Sequence, residues 1–194
     1  MNDIERNRLI NLIIFFAENT LHCGKIKLFK LLYLLDFEHF CITGKSVTNF
    51  EYQAWKFGPV PVELMEEWEE FGADLLDKVH VEPEKIIDFT LQAVKVNQGV
   101  RFDEDNFTPR QLKLMAKLAS RYKETRSPVM IDVTHEINGA WDKVWRNGVG
   151  AHQVIPYELA ISDDAPARAE LLSIASEQAM YRAALQAERR LATA

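Results

Sequence analysis

Residues 25–43 read KIKLFKLLYLLDFEHFCIT, and this stretch decides the fold. Ile26, Leu28, Phe29, Leu31, Leu32, Tyr33, Leu34, Leu35, Phe37 and Phe40 cover nearly every side of the helix they would form. A helix apolar all round is a buried one, so this segment is the expected centre of the core. Gly24 separates it from what precedes, and Gly44 closes it as the residue best able to turn left-handed after a helix. Lys25, Lys27 and Lys30 read as solvated charge at its edge, with a nucleic-acid contact as the weaker alternative.

Upstream, Leu9, Leu12, Ile13 and Phe16 recur at helical spacing and predict a first helix over Ile4 to Asn19. Downstream, Val47, Phe50, Tyr52, Trp55 and Phe57 predict an extended segment from Ser46 to Phe57 that stops at Gly58-Pro59. A third helix is expected from about Val60 to Phe71, with Pro59 and Pro61 in its first turn and Leu64, Met65, Trp68 and Phe71 on its inner stripe. Between Val79 and Phe107 a short strand, a turn at Pro83 and a hairpin closing near Asn97 to Gly99 would suit the alternation; Ile86, Ile87, Phe89 and Leu91 are its apolar residues.

Thr108-Pro109-Arg110-Gln111 forms a capping box that opens another helix. Ser127-Pro128 starts a short one to about His135, Gly139 to Asn147 is a Trp-rich turn or helix, and Val154 to Ile161 reads as extended. Asp163-Asp164-Ala165-Pro166 caps an Ala-rich helix toward the C-terminus. Its Leu171, Ile174, Gln178, Tyr181 and Leu185 fall at alternating three- and four-residue steps, too short a run for a coiled coil. The expected architecture is mainly α with a small β component (α+β). One compact helical domain, residues 1–162, surrounds the buried central helix, and residues 163–194 add a C-terminal helical extension.

Composition narrows the function. Apolar residues make up 47% of the chain, enough to fill one core without a disulfide or metal staple. The formal charge of −6 counts against non-specific nucleic-acid binding, which needs clustered Lys and Arg. Cys23 and Cys41 lie outside any CxxC and read as reduced thiols of a cytoplasmic chain. The opening residues lack an export pattern, and every long apolar run is broken by charge, so no membrane span is expected.

Two stretches stand out as candidate binding elements. In Ala54-Trp55-Lys56-Phe57-Gly58-Pro59-Val60, two large aromatics lie two apart and would share one face of a strand. They either plug the core or line a groove for a partner. From Val62 to Asp77 there are seven carboxylates and no Lys or Arg. That run is either a solvated helix face or a docking surface for a basic partner. Trp55, Lys56, Phe57, Glu63, Glu66, Glu67 and Glu70 are therefore the candidate partner-binding residues.

Chemistry is harder to find. Asp132, His135 and Glu136 lie close in sequence, but not in the two-histidine spacing of a zinc protease helix. The reading that fits better is a structural His near a helix end. Trp141 and Trp145, four apart, are core or a hot spot. His22, Cys23, His39 and Cys41 match no structural zinc spacing. No nucleophile elbow or phosphate-binding glycine loop occurs. No catalytic residue, metal or cofactor is expected, and an enzyme is not.

The segment Lys27 to Leu35 resembles the early KL-x-KLLY helix of Panacea, or SocA-like, domains. Glu38-His39 and Thr43-Gly44-Lys45 sit where that family carries an aromatic or His followed by TG. Ala54 to Val60 is similar to its AW-x-[YF]-GPV signature, and Thr134-His135-Glu136 with Trp141 to its TH…W element. The four fall in order and cover about residues 5 to 160. The resemblance implies an antitoxin, often of a prophage or mobile element, encoded beside a protein toxin in one operon and neutralising it by direct binding. It also implies an alternative: an adaptor delivering the toxin to an AAA+ protease. Two further classes stay open from the residues: a hydrolase or metal enzyme built on Asp132, His135 and Glu136, and a DNA-binding regulator using the helices around Lys25.

Overall fold

The stretch at 25–43 forms helix α2, Lys25–Thr43, and it runs through the middle of the core. Its end is fixed by Gly44, which adopts φ +67° and donates its N–H to the Phe40 carbonyl at 2.9 Å. The surroundings come from a computed structural model that describes residues 1–86 and 89–192. The fold is α+β and mainly helical, with two small two-stranded sheets.

Helix α1, Asp3–Asn19, starts on a capping box between Asn2 and Glu5, with both hydrogen bonds at 2.9 Å. Its Leu9, Leu12, Ile13 and Phe16 are buried in the core they share with α2. After α2 the chain does not run extended from Ser46 as the β-prone residues predict. Residues 46–50 form a loop, and strand β1 is only Tyr52–Trp55. The reason lies in α2. The Asp36 carboxylate, fully buried, accepts from the Val47 N–H (2.7 Å), the Thr48 N–H (2.8 Å), the Thr48 hydroxyl (2.5 Å) and the Tyr52 hydroxyl (2.7 Å). Donors gathered on one oxygen pair bend the segment around it.

Pro59 and Pro61 lie in strand β2, Gly58–Pro61, rather than in the first turn of a helix. β2 pairs antiparallel with β1 from Tyr52↔Pro61 to Trp55↔Gly58. Prolines suit an edge strand because they have no N–H to leave unpaired. Helix α3 is consequently shorter than expected, Val62–Glu67, and is followed by α4, Ala73–Leu76. Pro83 does not turn the chain either. It sits opposite Gln92 inside one long hairpin of β3, Val79–Ile86, and β4, Phe89–Val96. In a two-stranded ribbon β3 has a free side where a missing donor costs nothing. Ile87 lies outside the described residues.

The capping box at Thr108 opens α5, Pro109–Arg121, as the sequence predicts. Helices α6, Ser127–Thr134, and α7, Ala140–Trp145, follow. Residues 154–161 are not one extended segment. Residues 152–155 run beside β1, with the Ile155 N–H on the Tyr52 carbonyl (2.7 Å) and the Ala54 N–H on that of Gln153 (2.9 Å). Tyr157–Ala160 then makes a 3₁₀ turn. Helix α8, Arg168–Ala192, begins after turns at 162–167 rather than on Asp163-Asp164. Its Leu171 and Ala175 pack on Phe40 and Ile161, and Ile174 and Gln178 are half-buried. Met180 and Tyr181 are exposed, and the side chain of Leu185 lies outside those described.

Candidate partner-binding surface

The charges on α2 are placed otherwise than expected. Lys25 is partly exposed, but Lys27 and Lys30 are buried. A helix packed on all sides has no wet edge, so their heads must end on protein acceptors. The Lys27 Nζ donates to the carbonyls of Leu21 (2.7 Å) and Lys123 (3.0 Å), tying the entry of α2 to the exit of α5. The Lys30 Nζ donates to the Pro59 carbonyl at 2.8 Å. Burial pulls the Lys30 ammonium down to about 7.

That contact seats the Trp55–Val60 turn. Gly58 takes φ +96°, and a Cβ there would stand 2.7 Å from the Lys30 Nζ and 2.9 Å from the Thr134 hydroxyl. Only glycine fits against both α2 and α6. The Trp55 carbonyl accepts from the Trp141 indole N–H at 3.1 Å. Trp141 in turn stacks face to face on His135, with centroids 3.7 Å apart, and on Trp145 at 5.4 Å. Three of the four sequence motifs thus converge on one region, α2 at Lys30 beneath, the β1–β2 turn above and the α6–α7 corner beside them, while the His39 and Thr43-Gly44-Lys45 motif lies at the other end of α2.

Trp55 and Phe57 do not share a face, because the chain turns at Lys56-Phe57. Trp55 is half-buried, its ring 4.9 Å from that of His152. Phe57 is 62% exposed, with the Lys56 Nζ 5.6 Å from its ring centroid. Ile137, three residues beyond Thr134, is 82% exposed. Phe57 and Phe89, the latter 52% exposed, are the two phenylalanines that lie more than half exposed among the described residues.

The acidic stretch is divided. Glu63, Glu66, Glu69 and Glu70 are exposed. Glu67 is half-buried, with the Arg6 guanidinium bound to both its oxygens at 2.5 and 2.6 Å, and Arg6 also holds Asp74. Both pairings lift Arg6 above its ordinary range, and Arg6 pulls Asp74 down. Arg6 therefore fastens α3, through Glu67, and α4, through Asp74, to α1. Nothing in its sequence context sets it apart from Glu66; the signal lies on Arg6, a polar position of α1 facing the acidic run.

His135 does not assemble with its acidic neighbours. Its ring is packed on Trp141, its Nε2 is buried without a partner, and Asp132 and Glu136 are exposed. Burial first, and then the Lys30 charge, push the His135 imidazolium below its usual range. His39 is engaged with the Lys45 carbonyl at 2.7 Å, His22 with Glu84, and the Cys41 thiol with the Ala160 carbonyl at 3.2 Å. Burial lifts the Cys23 thiol to about 11, which makes it a poor nucleophile. Among the described residues no three His, Cys, Asp or Glu side chains gather as they would around a metal ion, and no helix is long and apolar enough to cross a membrane.

The exposed Phe57 turn and the exposed Glu63, Glu66, Glu69 and Glu70 that follow it in the chain are the apolar and charged surface features of this part of the fold. The family model described as "Antitoxin SocA-like, Panacea domain" matches residues 28–142, more than half of the chain, and the chain belongs to that family. The match spans α2 from Leu28, both sheets and the corner of α6 and α7. Among curated proteins and among solved structures, nothing matches.

Proposed function

We propose that this chain is a cytoplasmic antitoxin that neutralises a cognate protein toxin by binding it directly, without catalysis, metal or cofactor. Family membership gives the class. The observation that carries the reading of the surface is Phe57, exposed on a turn that the Lys30 and Trp141 hydrogen bonds tie to the body and that Thr134 packs against at Gly58. A rigid anchor loses little entropy on binding. The partner surface comprises Trp55, Lys56 and Phe57 with Glu63, Glu66 and Glu70 beside them. The exposed carboxylates steer a basic partner toward the anchor. Glu67 supports this surface through Arg6 rather than contacting the partner.

A second reading places the partner on the outer part of α8, where Met180 and Tyr181 are exposed. Delivery of a bound toxin to an AAA+ protease would use that same projecting helix. Co-expression with the product of the neighbouring reading frame tests the function. Rescue of growth together with a stable one-step co-purification supports neutralisation by binding. Rescue that requires the protease supports the adaptor, and no rescue contradicts both.

A further inference from the structure

We propose a binding site for a small phosphate ester in the cavity between α1, the end of α2, the start of α5 and the first turns of α8. The proposal does not depend on the reading of the toxin surface, which lies elsewhere. The cavity is open to solvent and has a volume of about 740 Å³. Its charged walls are Arg8, Lys45 and Arg110, with His39 beside them, and no carboxylate lines it. This is a concentration of positive charge on a chain of net charge −6.

The charge is also uncompensated. Like most lysines and arginines among the described residues, Arg8, Lys45 and Arg110 pair with no carboxylate; what sets them apart is that the three surround one opening. Arg8 has one hydrogen bond, from its terminal nitrogen to Gln111 Oε1 at 3.1 Å, and its Nε is buried with no acceptor. Arg8 is half-buried and its guanidinium has one neutral hydrogen-bond partner, which leaves terminal N–H donors for an anion. The carboxylates that act on Arg8 from a distance are already committed. Asp36 holds its four donors, and Glu5 caps α1 through the Asn2 N–H.

Three separate cations around one opening suit a ligand with more than one negative charge, and the volume lies in the range of pockets that hold small metabolites. A phosphate or diphosphate group against Arg8 and Arg110, with the rest of the molecule under Ile174 and Gln178, satisfies both features. Such a ligand would bridge α8 to the body. Gly44, at the floor, already lies close to α8: a Cβ there would stand 2.6 Å from the Leu171 carbonyl oxygen.

The test uses the full chain titrated calorimetrically with inorganic pyrophosphate and with ADP, against sodium chloride at matched ionic strength. Amide exchange of residues 168–181 is followed in parallel. The expected result is a dissociation constant of about 1 mM or tighter for at least one phosphate probe, with slower exchange in α8. The exposed-residue double variant Lys45→Ala/Arg110→Ala should keep its melting temperature and bind about tenfold more weakly. No binding of either probe, equal heat from sodium chloride, or unchanged affinity in the double variant would overturn the proposal.

Discussion

The Lys30 Nζ and the Pro59 carbonyl oxygen stand 2.8 Å apart, and this is the one hydrogen bond the ammonium makes among the described residues. It joins the central helix to the turn that presents Phe57. A buried amine with a single neutral acceptor is poorly compensated when charged.

Lys30 therefore makes stability depend on pH. Its pKa is about 7 when folded and near the ordinary 10.5 when unfolded. Between those values the unfolded state binds the extra proton, so this contribution to stability rises with pH, by at most about 1.4 kcal/mol per unit. Below pH 7 both states are protonated and the slope vanishes. The Cys23 thiol, lifted to about 11, acts in the opposite sense above pH 9. The difference between wild type and Lys30→Met isolates the lysine. Urea unfolding from pH 7.5 to 9 should show a flatter slope in the variant, and equal slopes would show that Lys30 is charged in the fold.

Gly58→Ala should destabilise the protein by about 2 kcal/mol, because φ +96° is strained for any residue with a Cβ and that Cβ would collide with Lys30 and Thr134. Thermal unfolding measures it. A variant as stable as the wild type would mean that the turn is not locked as described.

Two buried and half-buried networks should differ in weight. Asp36→Ala strands the Val47 and Thr48 N–H groups and two hydroxyls, and should cost about 3 kcal/mol or more. Arg6→Ala breaks an ion cluster whose Asp74 side is exposed, and should cost about 1 kcal/mol. Denaturant titrations of the two variants decide it. The reverse order would put the structural weight on the α1–α3 cluster.

Much of the helical frame is legible in the sequence because helical signals are local. The all-round apolarity of 25–43 places α2 to the residue, Gly44 ends it, and the Thr108 capping box opens α5. The strands are less legible because their partners are distant. Nothing near Pro59 says that it pairs with Ala54, and Pro83 looks like a turn until Gln92 is found opposite. The burial of Lys27 and Lys30 is illegible for a different reason. A helix enclosed along most of its length turns its mid-helix charges inward too, where each ends on a protein partner, while Lys25 in its first turn stays partly exposed.

At the surface, the pair Trp55 and Phe57 is legible as a feature but not as a geometry. Alternation assigns both to one face only while the strand continues, and β1 ends at Trp55. Glu67 shows the limit of reading a charge run as one surface, since a single arginine from α1 removes it from the free carboxylates.

The affinity of the triple variant Glu63→Lys/Glu66→Lys/Glu70→Lys for the product of the neighbouring reading frame is the most direct measurement. It leaves Glu67 and its bond to Arg6 intact, so the fold should survive, which circular dichroism checks. The account predicts a loss of at least about tenfold at low salt that shrinks as salt is added, since screening weakens interactions between exposed charges. A folded triple variant that binds the toxin with unchanged affinity and still rescues growth would contradict the assigned surface.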